Sequence, residues 1–150
     1  MRIENLCPWT DCKTNRVEWH ASSMQDPSTG LWTYSPTESN DSCTVALFSP
    51  GTGLTLGDYV AVVEADTLEN AYISVSNGST VNYTELSRTT NRLVTRVKRD
   101  YESNILLWIK GANSHVTPAR AALYTLGDWN ALQKLGRTII TSTDYALFKQ

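Results

Sequence analysis

The chain has little of what usually marks chemistry. Three cysteines stand in 150 residues, Cys7, Cys12 and Cys43, and an odd number permits one internal bridge at most, which excludes a disulfide framework. No apolar run reaches the ~18 residues that a membrane-spanning helix needs. The opening Met1-Arg2-Ile3-Glu4-Asn5 lacks the charged-then-apolar layout of a signal peptide. Neither membrane insertion nor a secretion address is expected. Charge of one sign is also missing: 13 basic and 15 acidic side chains leave a net charge of −2, without the field that nucleic-acid binders use to gather phosphates. No nucleic-acid partner is expected.

Catalytic signatures are absent too. The sequence has no Gly-x-Ser-x-Gly, no glycine-rich phosphate loop and no His-Glu-x-x-His. Only His20 and His115 could serve as imidazole bases, and His115 lies in the polar loop Gly111-Ala112-Asn113-Ser114-His115. Cys7, Cys12, His20 and Cys43 are zinc-ligand types, but their spacing forms no compact ligand pair. Asp58, Glu64, Asp66 and Glu69 gather around one strand and its following turn without the one-three-five spacing of a calcium loop. The expectation is a non-enzyme without metal or cofactor.

What is present is one short β segment after another, each bounded by Gly, Pro, Asn, Asp or Ser. Residues 1–14 show no periodicity and read as an irregular arm on a single domain spanning 15–150. Alternation predicts strands over 15–20, 30–35 and 42–48, with a loop over 21–29. Ser49-Pro50-Gly51-Thr52-Gly53 is the clearest break, after which the continuous run in 58–65 predicts a strand covered on both faces. Strands follow at 71–75 and 80–86 about an Asn77-Gly78 turn, then over 91–98, 104–110, 137–142 and 145–148. Thr117-Pro118 and Gly127 punctuate 117–127 as a helix as readily as a strand, and Asp128 to Leu135 predicts a short helix. Nine or ten short strands with one or two short helices near 117–135 make the fold mainly β: an antiparallel two-sheet sandwich, jelly-roll-like.

Two groups of side chains suggest binding. Arg92, Arg96 and Lys98 share the outer face of the 91–98 strand, a local positive patch suited to an acidic ligand or to a neighbouring acidic strand end. Trp32 and Tyr34, on one face of their strand, form a candidate stacking platform, whereas Trp19 and Trp108 are assigned to the core. Asn77 and His115, at loop tips with the 25–30 loop, complete the candidate contact residues.

With its compact β domain, Thr- and Ser-rich loops and Pro-Gly-rich early break, the chain resembles the protruding domain of a small icosahedral RNA-virus capsid protein, nodavirus-like or tombusvirus-like. The likeness is one of texture along the whole chain. It implies a virion-surface projection that forms dimers or trimers and meets a host receptor or glycan with its outer loops. A carbohydrate-binding module or lectin is the alternative, and a small glycosidase or hydrolase the third.

Overall fold

The computed structural model describes residues 3–48, 54–75, 83–99 and 104–136. Among these, ten strands precede one helix: β1 (Val17–Trp19), β2 (Ala21–Gln25), β3 (Trp32–Pro36), β4 (Ser42–Phe48), β5 (Gly57–Ala65), β6 (Ala71–Val75), β7 (Tyr83–Arg88), β8 (Arg92–Arg99), β9 (Ile105–Lys110), β10 (Pro118–Thr125) and α1 (Leu126–Lys134). One antiparallel sheet runs β1-β4-β9-β6, a second runs β10-β5-β8-β7, and β2-β3 is a separate hairpin. From β4 to β7 the chain passes from one sheet to the other at each strand, the alternation of a jelly roll. The expected sandwich is what forms.

Period-two alternation builds the middle layer. Val45 and Leu47 of β4, Ile73 of β6 and Ile105, Leu107 and Ile109 of β9 meet Tyr59, Ala61 and Val63 of β5, Leu93 and Val97 of β8, and Ala121 and Leu123 of β10 in one buried cluster. The intervening residues of the second sheet are also apolar and form another cluster: Val60, Val62, Val94, Ala122 and Tyr124 pack beneath Trp129 and Leu132 of α1, with Ile3 of the arm beside them. This second burial explains why β5 carries a continuous apolar run and not an alternating one.

Two segments depart from the expected structure. Residues 118–125 are a strand despite their helix-like punctuation. Alternate side chains there are claimed by the sandwich core and by the α1 layer, and burial on both faces outweighs local propensity. The helix starts later, capped by Thr125, whose Oγ1 accepts a hydrogen bond from the Asp128 amide (3.2 Å). Residues 21–25 form β2 and are not loop; they pair with β3 through the backbone, so their Ser-rich sequence gives no apolar alternation to read. The expected Asn77-Gly78 turn, the 49–53 break and the strands over 137–142 and 145–148 lie outside the described residues.

The arm is anchored. Leu6 N donates to Leu123 O (2.7 Å), Ala121 N to Thr10 O (3.0 Å) and Leu123 N to the Asn5 side-chain oxygen (3.0 Å), so the arm lies along the β10 edge without forming a regular strand. The β7 edge is tied by Arg88, which donates to Leu68 O and Ala71 O (2.7 Å each) and forks onto Glu85 at 2.9 and 2.5 Å. That guanidinium joins the margins of the two sheets.

Candidate functional site

Of the expected stacking platform on β3, Tyr34 is buried and Trp32 half-buried. Tyr34 forms a backbone bridge with Val116, and its hydroxyl accepts from Arg16 N (2.9 Å). Trp32 packs against the core and donates from Nε1 to Lys13 O (3.2 Å). Both rings fasten the β2–β3 hairpin to the rest of the domain, with Leu31 and Ala21 of the same region also packed against the core.

The basic patch forms but is largely neutralised. Arg92 forks onto Glu64 Oε2 at 3.0 and 2.7 Å, and Arg96 reaches Asp58 Oδ2 at 2.6 Å. Glu64 faces Arg92 directly across the ladder, while Asp58 stands opposite Lys98 and reaches Arg96 diagonally, and exposed pairs of this kind contribute little stability. Lys98 shares their face and is exposed. Asn77 is outside the described residues. His115 lines a hollow of about 630 Å³ between two loops, together with Asp66, Glu69, Asn70 and Asn113. Among the described residues no group of three or more His, Cys, Asp and Glu side chains could hold a metal ion.

Trp19, assigned to the core by sequence, is exposed instead, whereas Trp108, assigned there too, is half-buried, its Nε1 enclosed and without a hydrogen-bond partner among the described residues. They belong to a row of rings across the outer face of the first sheet. By register Trp19 stands opposite Thr44, Thr44 opposite Trp108, and Trp108 opposite Tyr72, so one line of side chains crosses β1, β4, β9 and β6. Trp19 stacks on His20 (centroids 3.7 Å apart) and tilts against Trp108 (6.4 Å); Trp108 stacks with Tyr72 (5.8 Å), and Tyr72 with Tyr83 (5.6 Å) at the lip of β7. Trp19 is 44% exposed, Trp108, Tyr72 and Tyr83 are half-buried, and His20 is exposed. Polar groups border the row: the Lys110 ammonium lies 5.2 Å from the Tyr72 centroid, and Thr44 donates to Glu18. Burial, and secondarily the neighbouring Tyr83 phenol, raises the Tyr72 hydroxyl above its ordinary range, keeping it a neutral hydrogen-bond donor.

No family model, curated protein or solved structure matches the chain.

A second concavity of about 560 Å³ lies between the arm, the β2–β3 loop and β10, lined by Pro8, Thr10, Asp11, Lys13, Leu31 and Arg120 among others. None of these residues was singled out by sequence, because no local pattern brings position 13 beside position 120. The cysteines add no reactive centre. Cys7, Cys12 and Cys43 are free and buried, and Cys7 donates from Sγ to Leu47 O (3.0 Å). Burial pushes Cys7 up to about 12 and Cys43 up to about 11, and raises Cys12 further, with Cys7 as a secondary cause, so no thiolate is available at neutral pH.

Proposed function

We propose that this domain works by attachment and that its ligand is a glycan, held on the aromatic row of the first sheet. The observation that carries this reading is the register line Trp19-Thr44-Trp108-Tyr72 with its partly exposed rings. Aromatic side chains that are apolar in body and polar at the tip suit ligands with the same division, and a pyranose has an apolar C–H face ringed by hydroxyls. Tyr72, Lys110 and His20 supply polar groups at the margin of the row. The ring spacing follows from neighbouring strands, so the surface is fixed by backbone pairing and needs no loop closure.

This reading brings forward the carbohydrate-binding alternative and moves its platform from Trp32 and Tyr34 to Trp19, Trp108 and Tyr72. It also fits a projection on a virion surface that attaches to host glycan. That setting adds self-association, for which the observation is the same apolar margin: Val17, 40% exposed, lies beside Trp19 on the edge strand β1.

A glycan array followed by calorimetry on the best ligand tests the reading. Trp19→Ala should weaken binding by about 2 kcal/mol, roughly 30-fold, the loss typical of an anchoring Trp, while the melting temperature falls by no more than about 4 °C because the ring is 44% exposed on an edge strand. Unchanged affinity in both Trp19→Ala and Tyr72→Ala would sink the glycan site. Mass measurement in the same series reads self-association: a dimer or trimer that Trp19→Ala splits into monomers assigns the row to contact between copies.

A further inference from the structure

We infer that the hollow between the arm and β10 is a second subsite, and that it takes the carboxylate-bearing ring of an acidic sugar. The inference names the ligand class for the attachment reading and rests on that reading only for the word sugar. The hollow, about 560 Å³, falls within the usual range for small-molecule sites. Its wall pairs two cations with one carboxylate, Lys13 and Arg120 against Asp11, above the apolar surfaces of Pro8, Leu31 and Ala119.

The cations are available to a ligand. Arg120 stands opposite Glu64 in the β10–β5 ladder, but Glu64 is already engaged by Arg92 at 2.7 Å. Among the described residues neither Arg120 nor Lys13 forms an ion pair, whereas Arg88, Arg92 and Arg96 all do. Both are positioned by backbone contacts. Thr10 O accepts from Ala121 N (3.0 Å), which holds the arm beside Arg120. Trp32 Nε1 donates to Lys13 O (3.2 Å), and the Lys13 stem lies along Gly30, its carbons 3.6–3.9 Å from where a Cβ on that residue would stand. Gly30 adopts φ +77, a conformation that suits glycine, so the loop that supports Lys13 is specified by sequence.

A ligand for this wall needs one negative charge for the two cations, hydroxyls for Asp11 to accept from, and an apolar face for Leu31 and Pro8. A uronic-acid-type pyranose has all three. Arg is suited to holding a carboxylate by two parallel hydrogen bonds, and Asp11 disfavours a doubly charged phosphate in the same place.

Glucuronate and glucose differ at one carbon, which isolates the carboxylate. Titrated into the full chain and followed by amide chemical shifts, glucuronate should move the signals of Thr10, Asp11, Lys13, Thr29 and Arg120, and glucose should not. Lys13→Met and Arg120→Met, both on exposed side chains, should each weaken glucuronate at least about tenfold while melting as the parent does. Binding should also fall as salt is raised from about 0.02 to about 0.5 M, because the added ions screen the exposed cations from the carboxylate. Equal shifts with glucose, glucuronate binding that survives both substitutions, or acetate binding as tightly as glucuronate would overturn the inference. Trp19→Ala separates the two readings: it should leave the glucuronate shifts in place, so failure of the aromatic row and failure of this subsite give different results.

Discussion

Thr95 lies on the inner face of β8 between Leu93 and Val97, fully buried, and its Oγ1 has no hydrogen-bond partner among the described residues. Thr95→Val exchanges that hydroxyl for a methyl of nearly the same size and keeps the β-branch that the strand conformation favours. An unpaired buried hydroxyl costs about 1–3 kcal/mol, and a buried methyl contributes about 0.8 kcal/mol. Because neither a cavity nor overpacking is created, the variant should be more stable by about 1–3 kcal/mol. For 150 residues each kcal/mol corresponds to about 2–4 °C, so melting should rise by about 2–12 °C. Calorimetry, and urea unfolding with a higher midpoint at unchanged slope, would measure it. Thr95→Ser is the opposite control: it keeps the hydroxyl, loses the methyl, and should cost about 1 kcal/mol. A lower melting temperature for Thr95→Val would refute the reasoning, since it would mean that the hydroxyl is satisfied in solution and that the layer between the sheets is not dry.

Two further perturbations test other parts of the fold. Arg88→Ala strands the carbonyls of Leu68 and Ala71 as well as Glu85, and should cost about 2–3 kcal/mol, with Arg88→Lys recovering only part because one ammonium cannot fork. Hydrogen bonding to Arg88 holds Glu85 below its usual carboxylate value of 4.5. The stabilising contribution is therefore present above that value and lost as pH falls through the depressed one, so parent and Arg88→Ala melting curves should converge in acid. The thiols behave in the opposite range. Raised by burial from 9.0, they stay protonated in the folded chain while the unfolded chain ionises, so stability should decline as pH rises from 9 towards 11. A Cys7→Ala/Cys12→Ala/Cys43→Ala chain should lose most of that alkaline dependence, and in the parent at pH 8 a thiol reagent should label none of the three cysteines until denaturant is added.

Much of the architecture is legible in the sequence because burial leaves a period. β4 and β6 put Val45, Leu47 and Ile73 on the core face as alternation predicts, although most of their opposite face is buried as well, β5 reads as doubly covered, and the stretch 91–98 reads as strand against a competing helical stripe; the strands form as read. β10 was ambiguous because Thr, Pro and Gly sit where they would start and stop a helix, while the deciding fact, apolar cover on both faces, is supplied by distant residues. β2 left no apolar trace at all. The candidate sites were less legible for a related reason. Alternation places Trp19, Trp108 and Tyr72 each on a face of its own strand, but only strand order aligns them, and a single strand does not encode its neighbours. Trp32 and Tyr34 looked exposable because what holds them against the domain is contributed by Arg16, Lys13 and Val116, which are distant in sequence. A Trp flanked by Glu18 and His20 in a three-residue strand was a usable clue that Trp19 had little to bury itself against.

The arm along β10 has a consequence for how molecules of this kind meet one another. A bare margin there would present Ala121 and Leu123 amides and carbonyls as a template on which another chain could add a strand. Residues 5–10 occupy that template from within the same molecule, with the Asn5 side chain standing in for backbone where the arm departs from ladder geometry. Lateral growth of the sheet at that margin is thus terminated by a segment of the same chain, so a second molecule would have to peel residues 5–10 away before it could add a strand.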